Sequence, residues 1–192
     1  MAQSLAIIGS PLAETGSGHV AGIGSLYITA HKPELEKNNI AFTDGVIERL
    51  QHFFLQDYES LPRQLIHRDL HTSNFLFENG ILSGYLDFDL SQRNVRIWDI
   101  VYLGCSLLVD NHKDKKRLKE WRDIFFGIVH GYSELLPLSD DEICAMPALF
   151  VFDDVLFTAF YSKIGQPEIA RNCMELAYWL HENIASYLGM DP

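Results

Sequence analysis

Apolar and polar positions change their spacing several times along the chain, and the changes divide it into segments. Between Gly45 and Tyr58, Val46, Ile47, Leu50, Phe53 and Phe54 recur at helical spacing, which predicts a helix with one apolar face. Thr43 or Asp44 can cap its start, and Pro62 stops further helix. Leu65–His67 then reads as a short strand. Two β-type runs follow, FLFE over 75–78 and ILSGYLDF over 81–88, with Asn79-Gly80 between them. Both turn residues tolerate the positive φ angles of a two-residue type I′ turn, so the spacing predicts a β-hairpin.

Beyond Asp89 the period is helical to the C-terminus. Trp98–Val109 is apolar throughout, and Lys113–Leu136 carries Leu118, Trp121, Phe125, Ile128, Tyr132 and Leu135 on one stripe. Ser139 and Glu142 form a capping box at the start of a third helix, which Pro147 is expected to kink. Pro167 suits the first turn of a fourth helix, and Gly189 lies just past its end. Residues 1–40 contrast with all of this, being weakly patterned, and within them 1–30 are rich in small residues and read as loop or poorly ordered chain. The predicted fold is mainly α (α+β). A segment 1–40 precedes one domain over 41–192, made of a loop at 66–74, a hairpin at 75–89 and a helical subdomain at 97–189.

Composition narrows the class. A chain of 192 residues with 47% hydrophobic and 21% charged residues is an ordinary globular protein with a proper core. Its formal charge of −11 repels nucleic-acid phosphates and anionic lipid, so neither is an expected partner. An acidic surface suits a cationic small molecule, although solubility is the commoner reason for such acidity. Cys105, Cys144 and Cys173 are scattered and make no CxxC pair, which fits buried, reduced thiols rather than a zinc knuckle. The apolar run 148–160 is interrupted by Asp153 and Asp154, so no membrane span is expected, and the localisation expected is cytoplasmic.

The hairpin brings polar groups together. With Asn79 and Gly80 as the turn, antiparallel partners sum to 159, which sets Asn74 opposite Tyr85 and Asp87 opposite position 72. Strand twist then lets Asn74 and Asp87 converge at the open end of the hairpin. An amide oxygen and a carboxylate are hard ligands that suit Mg²⁺. Asp69, five residues before Asn74, enters the same end and can accept the proton of an attacking hydroxyl. Asp89 and His71 are secondary candidates. Read instead as a zinc cluster, His67, Asp69 and His71 leave Asn74 and the second pair of aspartates unexplained.

The spacing H-x-D-x-x-x-x-N, followed by D-F-D thirteen residues later, is the kinase arrangement of base, metal amide and metal carboxylate. HRDLHTSNFLF, with its second histidine, resembles the aminoglycoside phosphotransferase and choline kinase-like family, which typically reads HGDLHPGN here. Asp99 in RIWDIVYL resembles the aspartate that braces the catalytic loop in that family. The resemblance covers 62–110 closely and the later helices only as a compatible lobe. It implies the C-terminal helical lobe of a protein-kinase-like fold, with Asp69 as base, Asn74 and Asp87 as Mg²⁺ ligands, and His67 and Asp99 as structural supports. It also implies ATP as phosphate donor and a small-molecule alcohol as acceptor, drawn from a family range that includes aminoglycosides, choline, sugars and homoserine-like alcohols. Arg68 stands where that family has Gly, and Thr72-Ser73 where it has Pro-Gly. The 66 residues before His67 are too few for the β-rich lobe that covers ATP in such enzymes, and GSGHVAGIG misses the third glycine of a kinase phosphate loop. The expectation is therefore a chain with that lobe largely absent: an enzyme, an inactive lobe serving as a binding module, or one that needs an oligomer or complementing chain.

Overall fold

The structure, a computed structural model, describes residues 33, 35–109 and 111–190. The loop expected over most of 1–40 and the glycine-rich stretch within it lie outside those residues. The described chain forms two units, Pro62–Leu138 and a second built from the residues up to Leu61 together with those from Ser139 onward.

In the first unit, β1 (Arg63–Ile66) pairs antiparallel with β4 (Gln92–Val95). The β4 strand corrects the expectation of helix directly after Asp89. QRNV has no apolar alternation, and it is extended because β1 offers it a ladder partner, Arg63 opposite Val95 through Ile66 opposite Gln92. β2 (Phe75–Glu78) and β3 (Ile81–Tyr85) make the expected hairpin. Its turn residues have left-handed backbones, φ 53° at Asn79 and 79° at Gly80, the conformation for which Asn-Gly is suited.

The register corrects the expected one. Glu78 faces Ile81 and Phe77 faces Leu82, as the 159 sum requires, but Leu76 then faces Gly84 and Phe75 faces Tyr85. Ser83 is an extra residue, a β-bulge that advances the pairing by one. Asn74 therefore lies level with Leu86, whose N–H donates to the Asn74 carbonyl at 2.8 Å. β3 ends at Tyr85, and Asp87 leaves the ladder with φ 60°.

Helix α2 (Trp98–Leu108) and helix α3 (Lys115–Leu135) complete this unit. The α3 helix starts on Asp114, which accepts from the N–H groups of Lys116 and Arg117 at 2.8 and 3.2 Å. Leu118, Trp121 and Phe125 bury their side chains, and the Trp121 indole donates to the Gly104 carbonyl at 2.8 Å. The predicted stripe fades along the helix: Leu135 is 84% exposed.

The second unit holds α1 (Asp44–Gln56), α4 (Asp140–Lys163) and α5 (Pro167–Tyr187). Thr43 occupies the N-cap position of α1 without a side-chain bond. The capping box of α4 is formed, with the Ser139 N–H donating to Glu142 at 3.0 Å and the Glu142 N–H donating back to the Ser139 hydroxyl at 3.3 Å. The helix runs unbroken past Pro147, and its flanks are apolar nearly all round. By length and composition it could cross a membrane, but 83% of its most apolar window is buried, which makes it the core helix of its unit. Phe54 packs edge-on against Phe152, ring centroids 4.6 Å apart, a geometry worth about 1 kcal/mol beyond area burial. Pro167 begins α5, and Gly189, with φ 73°, closes it. Cys105 and Cys173 are buried, whereas Cys144 is exposed, contrary to the expectation of three buried thiols.

Candidate active site

The loop 67–74 has almost no regular structure, so its shape depends on polar contacts, and one helix supplies most of them. Asp99, in the first turn of α2, accepts the backbone N–H groups of His67 and Arg68, both at 2.7 Å. These are charge-assisted bonds to donors that no strand or helix satisfies. Burial pushes the Asp99 carboxyl above the ordinary aspartate range, opposed by the two backbone donations and by His67. The neighbouring Trp98 donates its indole N–H to the Arg68 carbonyl at 3.4 Å. Between these clasps Arg68 has φ 72°, a left-handed backbone that favours glycine.

His67 ties the loop to the hairpin. Its Nδ1 receives the Asp69 N–H at 3.3 Å, so Nε2 carries the proton and donates to the Leu86 carbonyl at 2.7 Å. Both ring nitrogens are engaged and offer no lone pair to a metal, which sets aside the zinc-cluster alternative built on His67. The ring also meets Phe88, with centroids 4.6 Å apart.

Asp69 and Asn74 are buried, 4% and 8% exposed, and linked. The Asn74 Nδ2 donates to the Asp69 backbone carbonyl at 2.9 Å and lies 3.5 Å from Asp69 Oδ2. A carbonyl can only accept, so the amide nitrogen faces Asp69 and the amide oxygen is turned away, with no hydrogen bond to a described residue. The other carboxylate oxygen, Asp69 Oδ1, accepts the Tyr102 hydroxyl at 2.7 Å. His71 Nε2 lies 3.3 Å from the Asn74 amide nitrogen and 3.7 Å from Asp69 Oδ1.

Asp87 and Asp89 are different. Asp87 is exposed on the segment after β3, next to Leu86, which is anchored to Asn74 and His67. It makes no hydrogen bond or ion pair with any described residue. After the bulge, strict alternation would send Asp87 to the face opposite Asn74, and its left-handed φ breaks the alternation at that residue. Asp89 sits in an exposed turn closed by the Ser91 N–H on the Phe88 carbonyl and is not drawn into the network. The structure thus joins His67, Asp69, His71, Asn74 and Asp99 directly and Asp87 through its neighbour. The donor set of Asn74 and Asp87, an amide oxygen turned away from Asp69 and a carboxylate without a partner among the described residues, is chemically suited to Mg²⁺.

Tyr102 was not among the residues expected to matter. It sits inside an apolar helix, where aromatic residues read as core. Its signal lies in the spacing, since Asp99 and Tyr102 are one turn apart on one face, and a buried phenol requires an acceptor. Arg93 is exposed on β4, and Arg96 donates to the Pro137 carbonyl at 2.8 Å.

Comparison with known proteins bears on the same segment. The model of the Phosphotransferase enzyme family matches residues 24–129, more than half of the chain. A homoserine kinase of Polaromonas naphthalenivorans (strain CJ2) is 36% identical over 124 residues, 64% of this chain and 36% of that protein. One from Gluconobacter oxydans (strain 621H) is 33% identical over 109 residues, 56% of this chain and 33% of that protein. The chain spans about a third of the length of the curated relatives it matches.

Proposed function

The chain belongs to the phosphotransferase enzyme family, and from that premise we propose that residues 66–89 serve ATP- and Mg²⁺-dependent transfer of a phosphate to the hydroxyl of a small molecule. The observation that carries this reading is the buried pairing of Asp69 with Asn74, in which the Asn74 amide nitrogen is turned to Asp69 and its amide oxygen away from it, while Tyr102 holds one of the two Asp69 carboxylate oxygens. Asp69 orients the acceptor alcohol and takes its proton as the new O–P bond forms. The bond from the γ-phosphorus to the bridging oxygen breaks, and ADP leaves with that oxygen. Asn74 and Asp87 hold Mg²⁺, whose charge, when bound, neutralises the phosphates. Asp99 and His67 keep the loop in shape. The resemblance to homoserine kinases makes a small amino alcohol the first acceptor to test. The parts that cover the nucleotide come from outside the described residues, on this polypeptide or on another. Free thiols at all three cysteines suit the reducing cytoplasm.

The test is direct. Purified protein incubated with Mg·ATP and a panel of alcohols, homoserine and choline among them, is expected to give a phosphorylated product that disappears in Asp69→Asn. Absence of both product and Mg·ATP binding, read by calorimetry at millimolar nucleotide, sinks the reading for this chain alone. Size-exclusion with light scattering, with and without Mg·ATP, then decides whether a second chain completes the site.

A further inference from the structure

We infer that Tyr102 is a positioning residue for Asp69: its hydroxyl holds Oδ1 against helix α2 and reserves Oδ2 for the proton of the acceptor alcohol. The inference rests on the phosphotransfer reading above. Its ground is the way α2 grips the loop. Asp99 takes the backbone N–H groups of His67 and Arg68, and Tyr102, one turn later on the same face, takes the side chain of Asp69. Three consecutive loop residues are thereby held by one rigid element, the first two by main chain and the third by its carboxylate.

The bond is a strong one. At 2.7 Å it is a phenol donating to a carboxylate, with donor and acceptor residues 8% and 4% exposed, so water competes little for either. Among the described residues no other group within hydrogen-bond reach competes for Oδ1, since His71 Nε2 stands off at 3.7 Å. The Tyr102 ring is itself stacked on Trp98, 6.4 Å between centroids at 29°, which fixes the hydroxyl on the loop side of the helix. Among the described residues Oδ2 has only the 3.5 Å approach of the Asn74 amide, at the limit of a hydrogen bond. One carboxylate oxygen is committed to the fold and the other is left for chemistry. Without the hydroxyl, the carboxylate is free to turn about its last bond and to share both oxygens with the acceptor or with water. The base remains present but is no longer aimed.

Tyr102→Phe removes only the hydroxyl. Expected is a folded protein with kcat lower by about 10- to 100-fold, the loss typical of a misplaced reactive group, and with KM for Mg·ATP and for the alcohol unchanged within about twofold. A merely structural tyrosine would instead lower the melting temperature and leave kcat per folded molecule alone, and that result overturns the inference. A second measurement needs no variant of Tyr102. In the wild type the Tyr102 hydroxyl proton is expected as a slowly exchanging NMR resonance that vanishes in Asp69→Ala. A fast-exchanging hydroxyl overturns the inference even if the phenylalanine variant fails to fold. Wild-type protein that transfers no phosphate to any acceptor is a failure of the function reading instead, and the hydroxyl resonance still decides whether Tyr102 holds Asp69.

Discussion

Asp69 and Asp87 lie eighteen positions apart on one stretch of chain, and the protein treats them in opposite ways. The loop around Asp69 is buried and cross-linked: Asp99, His67, Asn74 and Tyr102 each fix part of it. The segment around Asp87 is exposed, flanked by Leu86 and Phe88 at 43% and 57% exposure, and Asp87 makes no hydrogen bond or ion pair with a described residue. The proposed base is organised in advance by the fold, whereas the proposed metal carboxylate is presented to whatever binds. Stability and activity should therefore separate between the two regions, and substitutions can test that separation.

The largest effect is expected at Asp69, the proposed base. Asp69→Asn keeps the shape and an acceptor for Tyr102 but removes the proton acceptor, and should lower kcat by about 10²- to 10⁴-fold in a transfer assay. Asp99→Ala breaks the buried side of the comparison by leaving two backbone N–H groups without acceptors. Urea unfolding should show a loss of about 2–4 kcal/mol, with activity falling too. Asp87→Asn tests the exposed side. It should leave unfolding within about 0.5 kcal/mol of wild type while lowering activity and raising the Mg²⁺ concentration needed for half-maximal rate. Should Asp87→Asn destabilise as much as Asp99→Ala, the division between the two regions is wrong.

A smaller effect belongs to the other unit, where Asp153 and Asp154 are both buried, with carboxylate oxygens within 4.8 Å of each other. Burial, reinforced by the charge of Asp153, holds the Asp154 carboxyl well above the ordinary range, and burial with both carboxylates pushes the Cys173 thiol up as well. A raised carboxyl binds its proton more tightly in the folded state than in the unfolded one. Its contribution is thus fully present below about pH 4, the unfolded value, and is lost as pH rises through the folded value. The stability difference between wild type and Asp154→Asn, followed by urea unfolding across pH, should fall over that window. The smallest effect is at Arg68. Arg68→Gly relieves a left-handed backbone at some entropic cost, and a net gain of roughly 0.5 kcal/mol is expected by the same unfolding measurement.

Much of this architecture can be read from residues, for identifiable reasons. Asn79-Gly80 fixes the hairpin because few other pairs accept two positive φ angles, and Ser139 with Glu142 marks a helix start because the capping box is local chemistry. The spacing of His67, Asp69 and Asn74 is legible because all three sit in one short loop. What escapes is what depends on distant partners. Gln92–Val95 is a strand only because β1 lies beside it, and the bulge at Ser83 leaves no trace in a run that alternates either way. Tyr102 hides because a helix that is apolar on most sides gives no reason to single out one hydroxyl until the loop it meets is known.

The bulge at Ser83 can be put in the language of a repeating wave. A strand is a signal of period two, and one extra residue is a slip of half a wavelength, so every side chain after Gly84 is out of phase with the unbulged strand. The left-handed step at Asp87 interrupts the signal a second time. Length changes between Leu82 and Asp87 should therefore be tolerated in pairs and not singly: removing one residue swaps the faces, while adding two leaves the phase as it was. Parity, more than length, is what this hairpin has to keep.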